Sequence, residues 1–119
     1  MEYSTRQIGS QKYIDCSENC PIEDERTALD IVGICGEEGT DRVLLHSGNL
    51  PADFFRLSSG LAGNILLKFS NYWIKAAAVL TPVQVGQGKF YEFALETNRG
   101  NQFRIFYTRH EAEEWLTCE

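Results

Sequence analysis

The sequence predicts an α/β fold: a mostly parallel sheet of about five strands with four helices, in the order β-β-α-β-α-β-α-β-α, forming one domain over residues 1–119. Three observations carry that expectation. Apolar runs too short for helices, RVLLH at Arg42 to His46 and WIKAAAVL at Trp73 to Leu80, read as strands buried on both faces. Stretches of helical period separate them, and Gly, Pro, Ser and Asn punctuate the joins. A chain of 119 residues that is 43% apolar and 24% charged suits one compact globular core.

Tyr3 to Ile8 and Gln11 to Cys16, split by Gly9-Ser10, read as a hairpin or two edge strands with Tyr13 and Ile8 turned inward. After Pro21 the acidic run Glu23-Asp24-Glu25 suits a helix N-terminus. Leu29, Val32 and Cys35, flanked by Ala28 and Ile31, mark that helix's apolar face, and Gly36 and Gly39 end it. The strand at Arg42 to His46 follows. Leu61, Ile65 and Phe69, with a second row of Ala62, Leu66, Phe69 and Trp73, define the next helix. The strand at Trp73 to Leu80 carries three alanines that let a helix pack closely, and Thr81-Pro82 stops it. Gly86 and Gly88 make a flexible connection to a helix with Phe90, Phe93, Ala94 and Thr97 on its narrow apolar face. Gly100 stands near a C-cap, and Gln102 to Tyr107 is the last strand. Thr108 and Glu111 form a T-x-x-E capping box for a terminal helix anchored by Ala112, Trp115 and Leu116.

The net charge is −6 with no basic run, which argues against nucleic acid. Acidic residues gather at Glu18 to Asp30, Glu37-Glu38 and Glu111 to Glu119, as solvated faces do. No apolar run is long enough to span a membrane, and the opening MEYSTRQIGSQKY has neither an apolar core nor a cleavage signal, so a cytoplasmic protein is expected. Cys16 and Cys20 form C-x3-C, but His46 and His110 are distant in sequence and no second close pair follows. No metal or cofactor is therefore expected, and the cysteines, Cys35 among them, read as free thiols.

The candidate site is the stretch Pro51 to Tyr72, PADFFRLSSGLAGNILLKFSNY. Ser58 or Ser59 is placed to cap the helix that opens after Gly60, where a phosphate or another anion would sit at the positive end of its dipole. Gly60 and Gly63 frame a short G-x-x-G, which serves either close ligand approach or tight helix-to-sheet packing. Phe54 and Phe55 either fold back over the core or stand exposed as a partner anchor. His46, Asn49 and Arg56 complete the candidate ligand or partner loop. His46 and Ser47 end a central strand, the edge where parallel sheets bind ligands. With Asp53 they are residue types of a hydrolase triad. Neighbouring strand residues face opposite ways, however, and no G-x-S-x-G elbow is present, so His46 is expected to hydrogen-bond into the loop.

The order of elements resembles that of the STAS domain, known from bacterial anti-sigma factor antagonists. In that family a D-S-S-G-L-G type loop opens the second helix and carries a phosphorylated Ser or Thr. Ser58-Ser59-Gly60-Leu61-Ala62 stands in the matching place, and the resemblance makes Ser59 the phosphoacceptor. The family's acidic residue before the serines is here Leu57, preceded by Arg56, and the loop from His46 to Ser58 is longer. More closely, LLHSGNLPADFF, SSGLAGNILLKF and RGNQFRIF followed by AEEWL resemble a bacterial family catalogued as domain of unknown function 4180, which brings no activity with it. The expectation is a non-enzymatic regulatory domain that binds an unidentified protein partner, controlled at Ser59 or Ser58, as monomer or homodimer. The alternative is a module that binds a small anionic ligand at the same helix N-terminus, with His46 and Arg56.

Overall fold

The computed structural model describes residues 2–16 and 20–118; the three residues inside the C-x3-C spacing, Glu18 among them, and Glu119 lie outside the described residues. β1 (Tyr3–Ile8) and β2 (Gln11–Cys16) pair antiparallel, with Ile8 opposite Gln11 and Gly9 at φ 60° in the two-residue loop. That positive angle is what a type II′ hairpin asks of its first central residue. α1 (Glu25–Glu38) leads to β3 (Arg42–His46), then three short 3-10 turns lead to α2 (Leu61–Asn71) and β4 (Lys75–Val79). α3 (Pro82–Val85), α4 (Lys89–Thr97), β5 (Phe103–Phe106) and α5 (Arg109–Thr117) complete the chain's described elements.

The strands lie in the order β1-β2-β3-β4-β5, and β2 to β5 are all parallel. Each crossover steps to the same side of the sheet, and right-handed crossovers of that kind put their helices on one face. Accordingly Ile31, Ile65, Phe69, Phe90 and Ala94 pack in one core with Ile14, Val43, Leu45, Ala76, Ala78, Phe103 and Ile105. The strand residues between these point the other way, where Tyr13, Leu44 and Ala77 meet Ala112 and Leu116 of α5. α5 is held at its C-terminus by cations from the amino ends of the strands. Arg42 Nη1 donates to the carbonyls of Leu116 and, at 3.2 Å, Cys118, and Lys75 Nζ donates to that of Trp115 at 2.8 Å. Lys75 and Arg104 also lie over the Trp115 ring. Positive charge at that end complements the helix dipole.

Several elements differ from the expectation, each for a physical reason. Among the described residues there are five helices, not four, because Thr81 and Gln84 close a capping box around the single turn Pro82–Val85, which buries Val85. Four residues are too few to show a helical period. α1 runs through Gly36 and ends at Gly39, the residue with the left-handed φ of 71°. Its buried face is Ala28, Ile31 and Cys35, and Leu29 is exposed. Ile8 is exposed on the edge strand, whereas Tyr13 is fully buried. Trp73 does not join the stripe of α2 or the strand after it. It takes φ 59° past the helix end, where its N–H bonds Ser70 O and the Ile74 N–H bonds Phe69 O. That is a Schellman cap with tryptophan where glycine is usual, and its apolar contact is made by buried Phe69 and Ile74. No helix among the described residues is long and apolar enough to cross a membrane.

Candidate functional site

The loop before α2 is pinned by one aromatic. Phe54 is fully buried and its ring meets Phe55 at 5.6 Å, Phe90 at 6.0 Å and Phe103 at 6.3 Å, so the pair folds back onto the core. The polar groups around it stay outside. Arg56 Nη2 donates to Asp53 Oδ1 at 2.7 Å, and both side chains are exposed. Ser59 Oγ donates to the Asp53 carbonyl at 2.6 Å and accepts the Leu61 N–H at 3.2 Å. The cap position itself belongs to Gly60 at φ 80°, not to either serine. A Cβ on Gly63 would meet nothing within 4 Å, so close helix-to-sheet packing is not what this glycine serves. Ser58 is exposed and lines a cleft of about 620 Å³ with Phe55, Arg56, Leu57, Lys89 and Phe90.

A second constellation forms on the α5 face of the sheet, and its centre is Asp15. Alternation puts Asp15 on the same face as Tyr13, near the carboxyl end of β2, with only 6% of its surface exposed. Its Oδ2 accepts from Arg6 Nε of β1 and from Arg109 Nη2 of α5, both at 2.6 Å. Its Oδ1 lies 2.7 Å from His46 Nε2. An ionised carboxylate only accepts, so His46 carries its proton on Nε2 in this pair. Burial alone would raise the Asp15 pKa, but the hydrogen bonds from His46, Arg109 and Arg6 outweigh it and hold the carboxyl well below the ordinary value of 3.8. Arg109 also lies 3.4 Å from Glu113, which accepts from the buried Tyr13 hydroxyl.

This cluster borders a cleft of about 490 Å³ at the carboxyl ends of β2 to β5, lined among others by Arg6, Asp15, His46, Ser47, Val79 and Tyr107. Ligands of parallel α/β sheets bind at this edge. Cys16 contributes to the wall, but its hydrogen bond with Cys20 and its burial push its thiol upward. Burial pushes Cys35 up to about 12, so neither supplies a thiolate near neutral pH.

The expected site residues are thus divided. Phe54, Phe55, Arg56, Ser58, Ser59 and Gly60 stay together in the loop before α2. Gly63 lines a groove between α2 and α4 with Leu66, Leu67 and Phe103. His46 belongs to the carboxyl-edge cleft with Arg6 rather than Arg56; its side chain accepts the Asn49 N–H of its own loop, as expected, and its Nε2 also meets Asp15 of the neighbouring strand. Asn49 is a structural group. It is buried, its Oδ1 accepts the His46 N–H at 2.6 Å, and its Nδ2 donates to the Cys20 carbonyl at 3.1 Å. Asp15, Arg6 and Arg109 are the residues sequence reasoning missed. Two signals mark them: an aspartate among strand-forming residues in QKYIDC, and an arginine in the first turn of α5, where the dipole disfavours positive charge.

No curated protein and no solved structure matches this chain. A family model described as Domain of unknown function (DUF4180) matches residues 8–116, and the chain belongs to that family.

Proposed function

We propose that the chain is a cytoplasmic, non-enzymatic STAS-like domain that regulates a protein partner through the loop before α2 and the exposed side of that helix. The observation that carries this is the position of Ser59: exposed, at the head of α2, with its hydroxyl engaged only by backbone groups of its own loop. An antiparallel first strand, a parallel remainder and a serine-glycine step at the second long helix support the STAS-like assignment. Phosphate on Ser59 adds about −1.5 to −2 charges beside the Arg56–Asp53 pair and the α2 N-terminus, enough to change what docks there. Along α2, Leu67 is more than half exposed at the mouth of the α2–α4 groove, an apolar contact within reach of the same partner.

The test is capture of the tagged chain from its native host, with mass spectrometry of bait and prey. A recurrent partner that Ser59→Asp releases while Ser59→Ala retains it, together with phosphate on Ser59, is the expected result. A partner indifferent to both substitutions removes Ser59 from the regulation. A bait with no recurrent partner removes the interaction role.

A further inference from the structure

We propose that the carboxyl-edge cleft binds a small organic oxyanion, a carboxylate or a phosphate ester, gripped by the outer fork of the Arg6 guanidinium. Arg6 reaches Asp15 through Nε alone, and no hydrogen bond among the described residues engages its two Nη groups. A guanidinium tethered at Nε presents Nη1 and Nη2 side by side, the geometry that holds an oxyanion with two parallel bonds. Tethering also fixes a long side chain before any ligand arrives, which lowers the ordering cost of binding.

The charge a ligand meets in the cleft is positive. The Asp15 side chain is 8% exposed and the Arg6 side chain 51%, so the guanidinium faces solvent and the carboxylate does not. Arg109 engages Asp15 without lining the cleft, and its charge offsets the carboxylate from behind. Further donors converge on the same space. The hydroxyls of Ser47 and Tyr107 have no hydrogen-bond partner among the described residues, and both residues line the cleft. Val79 and Leu80 supply an apolar wall for a short carbon body. A cavity of about 490 Å³ with a few convergent polar groups is of the size that holds a metabolite rather than a macromolecule. This site is independent of Ser59, which lines a different part of the surface.

Inorganic phosphate and acetate are the minimal probes, titrated into the isotope-labelled full chain by heteronuclear NMR at constant ionic strength, with chloride as control. Saturable shifts at the amides of Ser47, Gly48, Thr81 and Tyr107 are expected with one probe and absent with chloride, and the probe that saturates first tells phosphate chemistry from carboxylate chemistry. Arg6→Ala is expected to weaken that binding about tenfold or more, and Arg6→Lys, which keeps the charge but loses the fork, to weaken it in part. Ser47→Ala removes a hydroxyl with no structural partner and is expected to weaken binding about threefold with the fold unchanged. The proposal is overturned by shifts that do not saturate at about 50 mM probe, a concentration that leaves only negligible affinity. Equal shifts in chloride, shifts centred on Ser59 to Leu61, or full affinity in Arg6→Ala or Ser47→Ala overturn it as well.

Discussion

The loop before α2 and the Asp15 cluster both display charged and hydroxyl groups near the surface, yet they are built over very different spans of chain. In the loop the polar partners are three and six residues apart, Arg56 with Asp53 and Ser59 with the Asp53 carbonyl. Asp15 collects partners 9, 31 and 94 residues away, from β1, β3 and α5. Local bonds of the first kind form in an exposed segment and are replaced by water when broken, so they shape the loop without supporting the fold. A buried carboxylate with distant partners ties together elements that also pack on one another, and removing it leaves cations facing one another. In the loop the stabilising weight rests instead on one apolar residue.

The largest loss is therefore expected at Phe54. Phe54→Ala empties a fully buried site among Phe55, Phe90 and Phe103, and denaturant unfolding should show a loss of about 3–4 kcal/mol. Next comes Asp15→Asn, which keeps the shape but removes the charge, at about 2–3 kcal/mol near neutral pH because Arg6 and Arg109 are partly solvated. The sign of its pH dependence is fixed. The folded pKa of Asp15 lies below its ordinary 3.8, so its contribution is complete above that value and is lost as pH falls through it toward the folded pKa. Unfolding curves of the two proteins should converge as the solution is acidified below 3.8. A gap that stays constant there would mean that Asp15 acts through packing alone.

Smaller effects sharpen the contrast from the loop side. Gly60→Ala forces a side chain into φ 80° without a clash, and thermal unfolding should register about 1 kcal/mol of strain. Ser59→Ala loses two exposed hydrogen bonds, to the Asp53 carbonyl and from the Leu61 N–H, and should cost about 0.5–1 kcal/mol. Should Ser59→Ala prove as damaging as Asp15→Asn, the distinction between local and distant polar bonds in this molecule would fail.

The same span decides what the sequence made legible. The β3 run, the α2 stripe of Leu61, Ile65 and Phe69, and the Thr108 cap of α5 rest on neighbours within one or two turns, and all three stand where the pattern put them. The acidic opening of α1 is capped by Asp24 with Thr27 for the same reason. The Asp15 cluster was illegible because its geometry depends on which strands become neighbours and which face each residue takes. His46 could be placed at the edge of a strand, but not the carboxylate beneath it. Trp73 was misread because an apolar residue at a helical spacing looks buried, and only the cap geometry turns it outward.

That outward turn has a spectroscopic consequence. The chain holds two tryptophans, and Trp73 is 84% exposed in the folded state. Its emission is already that of an indole in water and changes little when the chain unfolds. Trp115 instead lies 5.8 Å from the Phe106 ring, under Lys75 and Arg104. The fluorescence change on unfolding is thus a signal from the α5 face alone, while far-ultraviolet dichroism reports every helix. Coincident curves from the two probes would describe a single cooperative unit. A fluorescence curve that runs ahead would mean that α5 lifts off the sheet, and releases Arg109 from Asp15, before the parallel core gives way.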